Sequence, residues 1–196
     1  MECIVIQGSL LEEAHALVSA KIRPGDAAVD ATVGNGHDTL FLAQCVGPKG
    51  KVIGFDVQQQ ALDNARHRLQ DSEVSINLHC VGHEEMDSYV QHRVAAVMFN
   101  LGYLPGSDKS TITQTETTLL ALGKALALLE CGGLLSVMCY PGHAGGDVES
   151  HAVTGFFENL DGCRMFRREG TGEKSPFLLV AQKNGQPHEE ADRHLG

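Results

Sequence analysis

The feature that most constrains this chain is a rhythm. Five short apolar runs, "AAVDATV", "KVIGFDV", "INLHCV", "VAAVMFN" and "LLSVMCY", are each followed by a segment with helical spacing. Continuously apolar strands separated by helices imply a parallel sheet covered on both faces. The end of the chain breaks the pattern. There "CRMFRRE" and "PFLLVAQK" are joined by the polar turn "GTGEKS" with no helix between them, which predicts an antiparallel hairpin at a sheet edge. The expected fold is α/β, with seven strands, mostly parallel, and helices on both faces.

Local signals set the helix limits. Ser9 stands three residues before Glu12, a capping-box spacing, and opens a helix expected over 10–22 that ends before Pro24–Gly25. "GNGHDTLFLAQCV" turns into a second helix, "QQALDNARHRLQD" is a charged third, and "HEEMDSYVQH" holds a short one. The long helix in "TQTETTLLALGKALALLECGG" carries Leu119, Leu122, Leu126 and Leu129 on one face, with Gly132 and Gly133 as its expected stop. That stripe reads as packing against the sheet rather than as a zipper. "DVESHAVTGFFENL" is a further helix. With no internal repeat and no linker, residues 1–183 are expected to form one domain and 184–196 a polar, flexible tail.

Composition excludes several classes. "MECIVIQGSL" lacks a basic n-region, and no apolar run nears the ~20 residues of a membrane span, so a soluble, cytoplasmic protein is expected. Cysteines at 3, 45, 80, 131, 139 and 163 form no CxxC pair and suit reduced thiols. A net charge of −10 argues against a general nucleic-acid coat. An RNA substrate would need a local patch, for which Arg164, Arg167 and Arg168, helped by Lys21 and Arg23, are the candidates. Solvated arginines on an edge strand explain the same residues equally well.

In an open α/β sheet, ligands bind beyond the carboxyl ends of the strands. After the first strand come Asp30, Thr32 and the turn Gly34-Asn35-Gly36, followed by a helix start at Asp38 and Thr39. Asp38 could receive a proton or simply cap that helix. Asp56 ends the second strand, twenty residues after Gly36, with Val57 and Gln58 beyond it. That is where a carboxylate accepts hydrogen bonds from a ribose diol. His83, Glu84 and Met86 follow the third strand, where they could border an adenine. Asn100, Gly102, Tyr103 and Pro105 follow the fourth, and Tyr140 with His143 in "YPGHAGG" follows the fifth. Polar or Gly-rich clusters at one end of five strands point to a nucleoside-bearing cofactor. An NAD-type G-x-G-x-x-G/A would need Gly or Ala where Thr39 stands, and the chain leaves no room for a separate substrate domain. The group His79, Cys80 and His83 lacks a second ligand pair, so no metal site is expected. Hydrolase chemistry is not indicated, because no nucleophile elbow or Ser-His-Asp order appears.

The motifs "DATVGNGHDTLFLA", "GFDVQ", "FNLGYLPGSDKS", "TETTLLALGKALALL" and "YPGHAGG" together resemble the small S-adenosylmethionine-dependent methyltransferases labelled rRNA methylases. At least some members of that family methylate the 5-aminomethyl group of 2-thiouridine at the tRNA wobble position. The resemblance implies a Rossmann-like class I methyltransferase fold and S-adenosylmethionine as cofactor. Its amino-acid end would lie over the first glycine turn, its ribose at Asp56 and its methyl group toward the end of the fourth strand. One departure is Cys131, where related sequences favour proline; it is expected at a helix end away from the site.

Under that resemblance the acceptor is a primary amine, with a pKa near ~10.4 if it behaves like lysine, and only its neutral form attacks. The Asn100 carbonyl would accept one amine N–H and aim the lone pair. Tyr103 or Tyr140 would stack on an exposed base. His143 would take the proton or touch a phosphate, and Arg164 and Arg168 would meet the RNA. The expected cofactor set is Asp30, Thr32, Gly34, Asn35, Gly36, Asp38, Thr39, Asp56, Val57, Gln58, His83, Glu84, Asn100 and Gly102. The anticodon region of tRNA is the expected partner, with a homodimer plausible for so small a domain. Two other readings stay open: a methyltransferase of the same fold acting on rRNA or a small amine, and a cofactor-binding module without catalysis.

Overall fold

The computed structural model describes residues 8–102, 113–142, 145–172 and 174–185. In chain order the elements are α1 (Leu10–Ser19), β1 (Ala27–Asp30), α2 (His37–Val46), β2 (Lys51–Phe55), α3 (Gln59–Arg68) and β3 (Ser75–His79). A 3-10 turn (His83–Glu85) then leads into α4 (Met86–Tyr89), β4 (Val94–Asn100), α5 (Thr115–Leu128), β5 (Leu129–Cys139), α6 (Gly146–Glu158), β6 (Cys163–Glu169) and β7 (Phe177–Lys183). All seven strands join one sheet in the order β3-β2-β1-β4-β5-β7-β6. The pairs from β3 to β5 are parallel, whereas β7 runs antiparallel to both β5 and β6. This is the mostly parallel seven-stranded arrangement expected from the sequence, and it puts the reversal of strand order between β1 and β4. The crevice at such a point is where an open α/β sheet binds its ligands.

Strand alternation divides the core. Ala28, Val52, Ala96 and Met98 face one side, where Ala14 and Val18 of α1 and Leu42 and Val46 of α2 cover them. Val29, Ile53, Val97 and Phe99 face the other, under Leu122 and Ala125 of α5 and Val153 and Phe157 of α6. On α1 the expected capping box forms: the Glu12 backbone N–H donates to Ser9 Oγ, and the Ser9 backbone N–H donates to the Glu12 carboxylate.

Three sequence expectations need correction. First, β3 is half exposed along its length, because it is the outer parallel strand and its outer edge has no neighbour among the described residues. Second, α5 stops at Leu128 rather than at the glycine pair. Leu129 already pairs with Val94, and the register between Val94 and Ala96 shifts to absorb residues 130–133. Gly132 and Cys131 therefore belong to an irregular strand entry, not to a helix end. Third, α1 ends at Ser19, three residues early, with Ala20 as its cap. The leucine stripe behaves as expected: Leu122 is buried, while Leu119 and Leu126 pack beside it on the same core.

Candidate active site

The crevice is built where the chain leaves β1 and β4. The Ala31 N–H donates to the Met98 carbonyl at 2.8 Å, and the Asn100 N–H donates to Thr32 Oγ1 at 2.7 Å. These bonds tie the loop after β1 to the end of β4. Beneath that loop Asp30 is buried, accepting from the Thr32 N–H at 3.1 Å and the Thr39 hydroxyl at 2.6 Å. Burial, and then the nearby Asp38 carboxylate, push its pKa up to about 7.

Gly34 and Gly36 both have positive φ, at +50° and +78°, a conformation with little penalty only for glycine. Gly36 is also needed for space. A Cβ there would lie 2.8 Å from the Ala65 Cβ, so its close approach is to α3. Asp56 stands opposite this turn. One of its carboxylate oxygens accepts the Gly34 N–H and the other the Gln58 N–H, both at 2.8 Å. Val57 lies beside it on the rim, 59% exposed. Asn35 is directed elsewhere. Its side-chain oxygen accepts from Asn64 and its carbonyl from Arg68, both on α3, so its amide does not face the crevice.

Asp38 lies in the first turn of α2, whose N-cap Gly36 has no side chain with which to cap it. One Asp38 carboxylate oxygen meets His15 Nε2 at 2.7 Å, and the other accepts the Asn100 side-chain N–H. A carboxylate of this kind only accepts, so the Asn100 nitrogen must face it and the amide oxygen must face away. That oxygen accepts from the Tyr140 hydroxyl at 3.3 Å. Burial raises the Tyr140 pKa, with Asp38 adding to the effect. The neighbouring Cys139 is buried and its thiol is pushed up to about 12, which leaves it a small core residue.

On the far side, His83 Nδ1 lies 3.3 Å from the Ala31 carbonyl, and the ring meets Phe99 edge-on. The carbonyl makes Nδ1 the donor, so Nε2 is left as a buried acceptor with no partner among the described residues. Burial lowers the His83 pKa and keeps the ring neutral. Glu84 is partly buried next to it, with its carbonyl accepting from Lys124. Met86 is fully buried in the core and borders no crevice.

The expected arginine patch is divided. Strand alternation sends Arg164 and Arg168 to one face of β6 and Arg167 to the other. Arg168 pairs with the buried Glu13 of α1 and donates to the Gly8 carbonyl, so it belongs to the packing of α1. Arg167 pairs with Glu169 at 2.6 Å and covers the Phe177 ring. Arg164 alone of the three is left without such a partner among the described residues. Tyr103, Pro105 and His143 lie outside the described residues.

Three site residues escaped sequence reasoning: His15, Glu149 and Thr113. Glu149 is buried on α6 and accepts from the Thr113 hydroxyl at 2.6 Å and the Thr118 hydroxyl at 2.7 Å. Thr113 Oγ1 in turn accepts the Gly102 N–H at 3.1 Å. A signal for Glu149 was present, since it shares the buried stripe with Val153 and Phe157. Nothing local marks His15. Among the described residues, no three His, Cys, Asp or Glu side chains gather as a metal site, and no helix is long and apolar enough to cross a membrane.

Known proteins bear on what such a crevice holds. The profile of the family described as "Putative rRNA methylase" matches residues 52–174. A solved structure of a putative rRNA-methylase from Clostridium thermocellum superposes with a TM-score of 0.88 at 38% identity, covering 91% of this chain and 100% of that one. A putative methyltransferase from Streptococcus mutans, solved in complex with SAH, gives a TM-score of 0.82 at 36% identity, covering 91% and 99%. The chloroplastic tRNA (mnm(5)s(2)U34)-methyltransferase of Arabidopsis thaliana is 40% identical over 161 residues, which is 76% of this chain. This chain spans 59% of that relative's length. SAH is S-adenosylmethionine without its methyl group, and the fold and crevice above have the form that uses it. The protein is a class I S-adenosylmethionine-dependent methyltransferase. Within that class, the chain belongs to the putative rRNA methylase family.

Proposed function

We propose that this methyltransferase acts on an aliphatic amine of RNA, the 5-aminomethyl group of (2-thio)uridine at the wobble position of tRNA. The observation that carries the reading is the orientation of Asn100. Its nitrogen faces Asp38, which turns its oxygen toward Tyr140 and the crevice. An amide oxygen accepts an N–H of a neutral amine and fixes its lone pair in one direction, which is a large part of what a displacement reaction needs. It removes no proton: the ammonium form of the acceptor must first lose one, to His143 or to solvent, and the neutral amine then attacks the methyl group as the carbon–sulfur bond breaks. The Tyr140 hydroxyl now occupies the oxygen, and the ring is 38% exposed, free to stack on a base once the amine takes that place. The activity by which the Arabidopsis thaliana relative is named supports the same substrate.

When bound, the cofactor supplies an electrophilic methyl group on a positively charged sulfur. The residues present suit it. Free N–H groups at the start of α2 and the Gly34–Gly36 turn would meet its carboxylate, and Asp56 with Val57 and Gln58 its ribose. His83 and Glu84 would border the base, where the unpartnered Nε2 of His83 awaits a donor. Asp30, Thr32 and Thr39 brace the turn from beneath, and Gly102 closes the β4 side. Asn35 contributes backbone alone. Tyr103, Pro105 and His143 are proposed for the substrate side, as is Arg164 at the RNA.

A small amine is the second reading, favoured by the divided arginine patch and the net charge of −10. A homodimer would enlarge the surface that meets an anticodon arm. The free thiols of Cys45, Cys80, Cys131, Cys139 and Cys163 support a reducing compartment such as the cytoplasm.

The test incubates purified protein and labelled S-adenosylmethionine with total RNA from cells lacking the gene, followed by nucleoside mass spectrometry of separated tRNA and rRNA. A methyl gain on aminomethyl-thiouridine in tRNA is expected. Asn100→Ala should lower that turnover by about two to three orders of magnitude with cofactor affinity nearly unchanged. Labelled rRNA, or an unlabelled RNA pool beside a labelled small amine, would overturn the tRNA reading.

A further inference from the structure

The Asn100 amide is held through a chain of contacts that begins in α1, outside the residues matched by the family profile. Asn100 lies against Asp38, and Asp38 lies against His15. An amide is nearly symmetrical in shape, so a half-turn exchanges its oxygen and nitrogen. Asp38 prevents that exchange by offering an acceptor on one side only. But Asp38 itself has a competing place to go. It sits in the first turn of α2, whose N-cap is Gly36, a residue with no side chain to cap the first N–H groups. A carboxylate there is attracted to those N–H groups and to the positive end of the helix.

His15 opposes that swing. Its Nε2 lies 2.7 Å from Asp38 Oδ1, and the carboxylate partner makes Nε2 the donor. The ring cannot easily turn away. It lies flat on Phe41 of α2, with centroids 3.8 Å apart and planes at 4°. The helix that carries it is itself fixed: Ala14 and Val18 are in the core, and Glu13, two residues before His15, pairs with Arg168 of β6. The ring thus has one orientation, the carboxylate one position and the amide one face.

We propose that His15 is a positioning residue for methyl transfer: its Nε2–H holds the Asp38 carboxylate in the crevice, and through it fixes Asn100 with the amide oxygen toward the acceptor amine. This rests on the function proposed above for Asn100. His15 touches neither cofactor nor substrate in this scheme. Its effect belongs in turnover and not in cofactor affinity.

Two substitutions separate the hydrogen bond from the ring packing. His15→Phe keeps an aromatic ring on Phe41 and removes the donor, whereas His15→Gln restores an N–H near the Nε2 position. With the RNA substrate, His15→Phe should lower kcat about tenfold to a hundredfold, with KM for S-adenosylmethionine within about twofold of wild type. His15→Gln should recover most of the loss. Equal loss in both variants, or no loss in His15→Phe, overturns the proposal. A second readout needs no substrate. In nitrogen-15 NMR of the free protein, the Asn100 side-chain N–H signals should move in His15→Phe and return toward their wild-type positions in His15→Gln. If the wild-type protein methylates no RNA, the proposed substrate fails, and the NMR comparison still decides His15: unmoved Asn100 signals in His15→Phe overturn it.

Discussion

Two buried carboxylates flank the end of β4 from opposite faces of the sheet, Asp38 from α2 and Glu149 from α6. Each accepts two side-chain hydrogen bonds, yet they do different work. Asp38 takes the His15 ring and the Asn100 amide, so its constraint ends in a side chain whose other atom opens into the crevice. Glu149 takes the hydroxyls of Thr113 and Thr118, and Thr113 passes the constraint to the backbone of Gly102. One carboxylate orients a functional group. The other fastens the start of α5 to the strand exit. Burial and acceptor count alone do not distinguish them; what their donors do next does.

Exchanging the damage is the most direct way to break this comparison. Asp38→Asn gives Asn100 a partner that both donates and accepts, so the Asn100 amide is no longer held one way round. Turnover should fall about a hundredfold, with little change in the urea midpoint. Glu149→Ala leaves two hydroxyls without their acceptor and a cavity under α6, and should destabilise the fold by about 2–4 kcal/mol. Its folded fraction should still bind S-adenosylmethionine. Denaturant titration and single-turnover assays on both variants check the pair. A large stability loss in Asp38→Asn with normal turnover would reverse the assignment.

Turns allow a second comparison on the Asp38 side. Gly25 and Gly36 both have positive φ, but a Cβ at Gly25 meets nothing within 4 Å, whereas one at Gly36 strikes Ala65. Gly25→Ala should destabilise by about 1–2 kcal/mol from backbone strain alone. Gly36→Ala adds overpacking, and the total should rise by about 1–3 kcal/mol above that. Equal losses would show that the α3 contact gives way freely.

The same contrast explains how much could be read in advance. The alternation of strands and helices, the terminal hairpin and the placing of Asp56 and Asn100 at strand ends were legible, because periodicity and spacing along the chain report them directly. Partnerships between distant elements were not. Nothing near His15 names Asp38, 23 positions on, and nothing in "CRMFRRE" says that Arg168 will be spent on Glu13. The glycine pair misled for a related reason. Gly132 and Gly133 look like a helix stop, but Val94 draws Leu129 into the sheet before they are reached, so pairing overrides the local signal. Asn35 sits inside the glycine turn, and only the packing of α3 reveals that its side chain faces outward.

A third carboxylate sharpens the comparison with a smaller effect. Asp30 lies beneath the turn on the Asp38 side, and burial together with the Asp38 and Asp56 charges raises its pKa to about 7. The sign follows from its protonation. Well below pH 4, Asp30 is protonated in folded and unfolded chains alike and contributes no penalty. As pH rises toward 7 the unfolded chain ionises first, the folded chain binds the extra proton, and folding stability falls; above 7 the penalty is complete and flat. A positive charge brought into this crevice favours the ionised carboxylate, so S-adenosylmethionine should release a proton on binding below pH 7. Its affinity should then rise about threefold to tenfold from pH 6 to pH 7 and level off above. SAH, with a neutral sulfur, should show a weaker dependence, and Asp30→Asn should flatten both. Calorimetric titrations in two buffers of different ionisation enthalpy measure the proton released. An equal pH dependence for the two ligands would mean that the sulfur charge is not what this group of carboxylates meets.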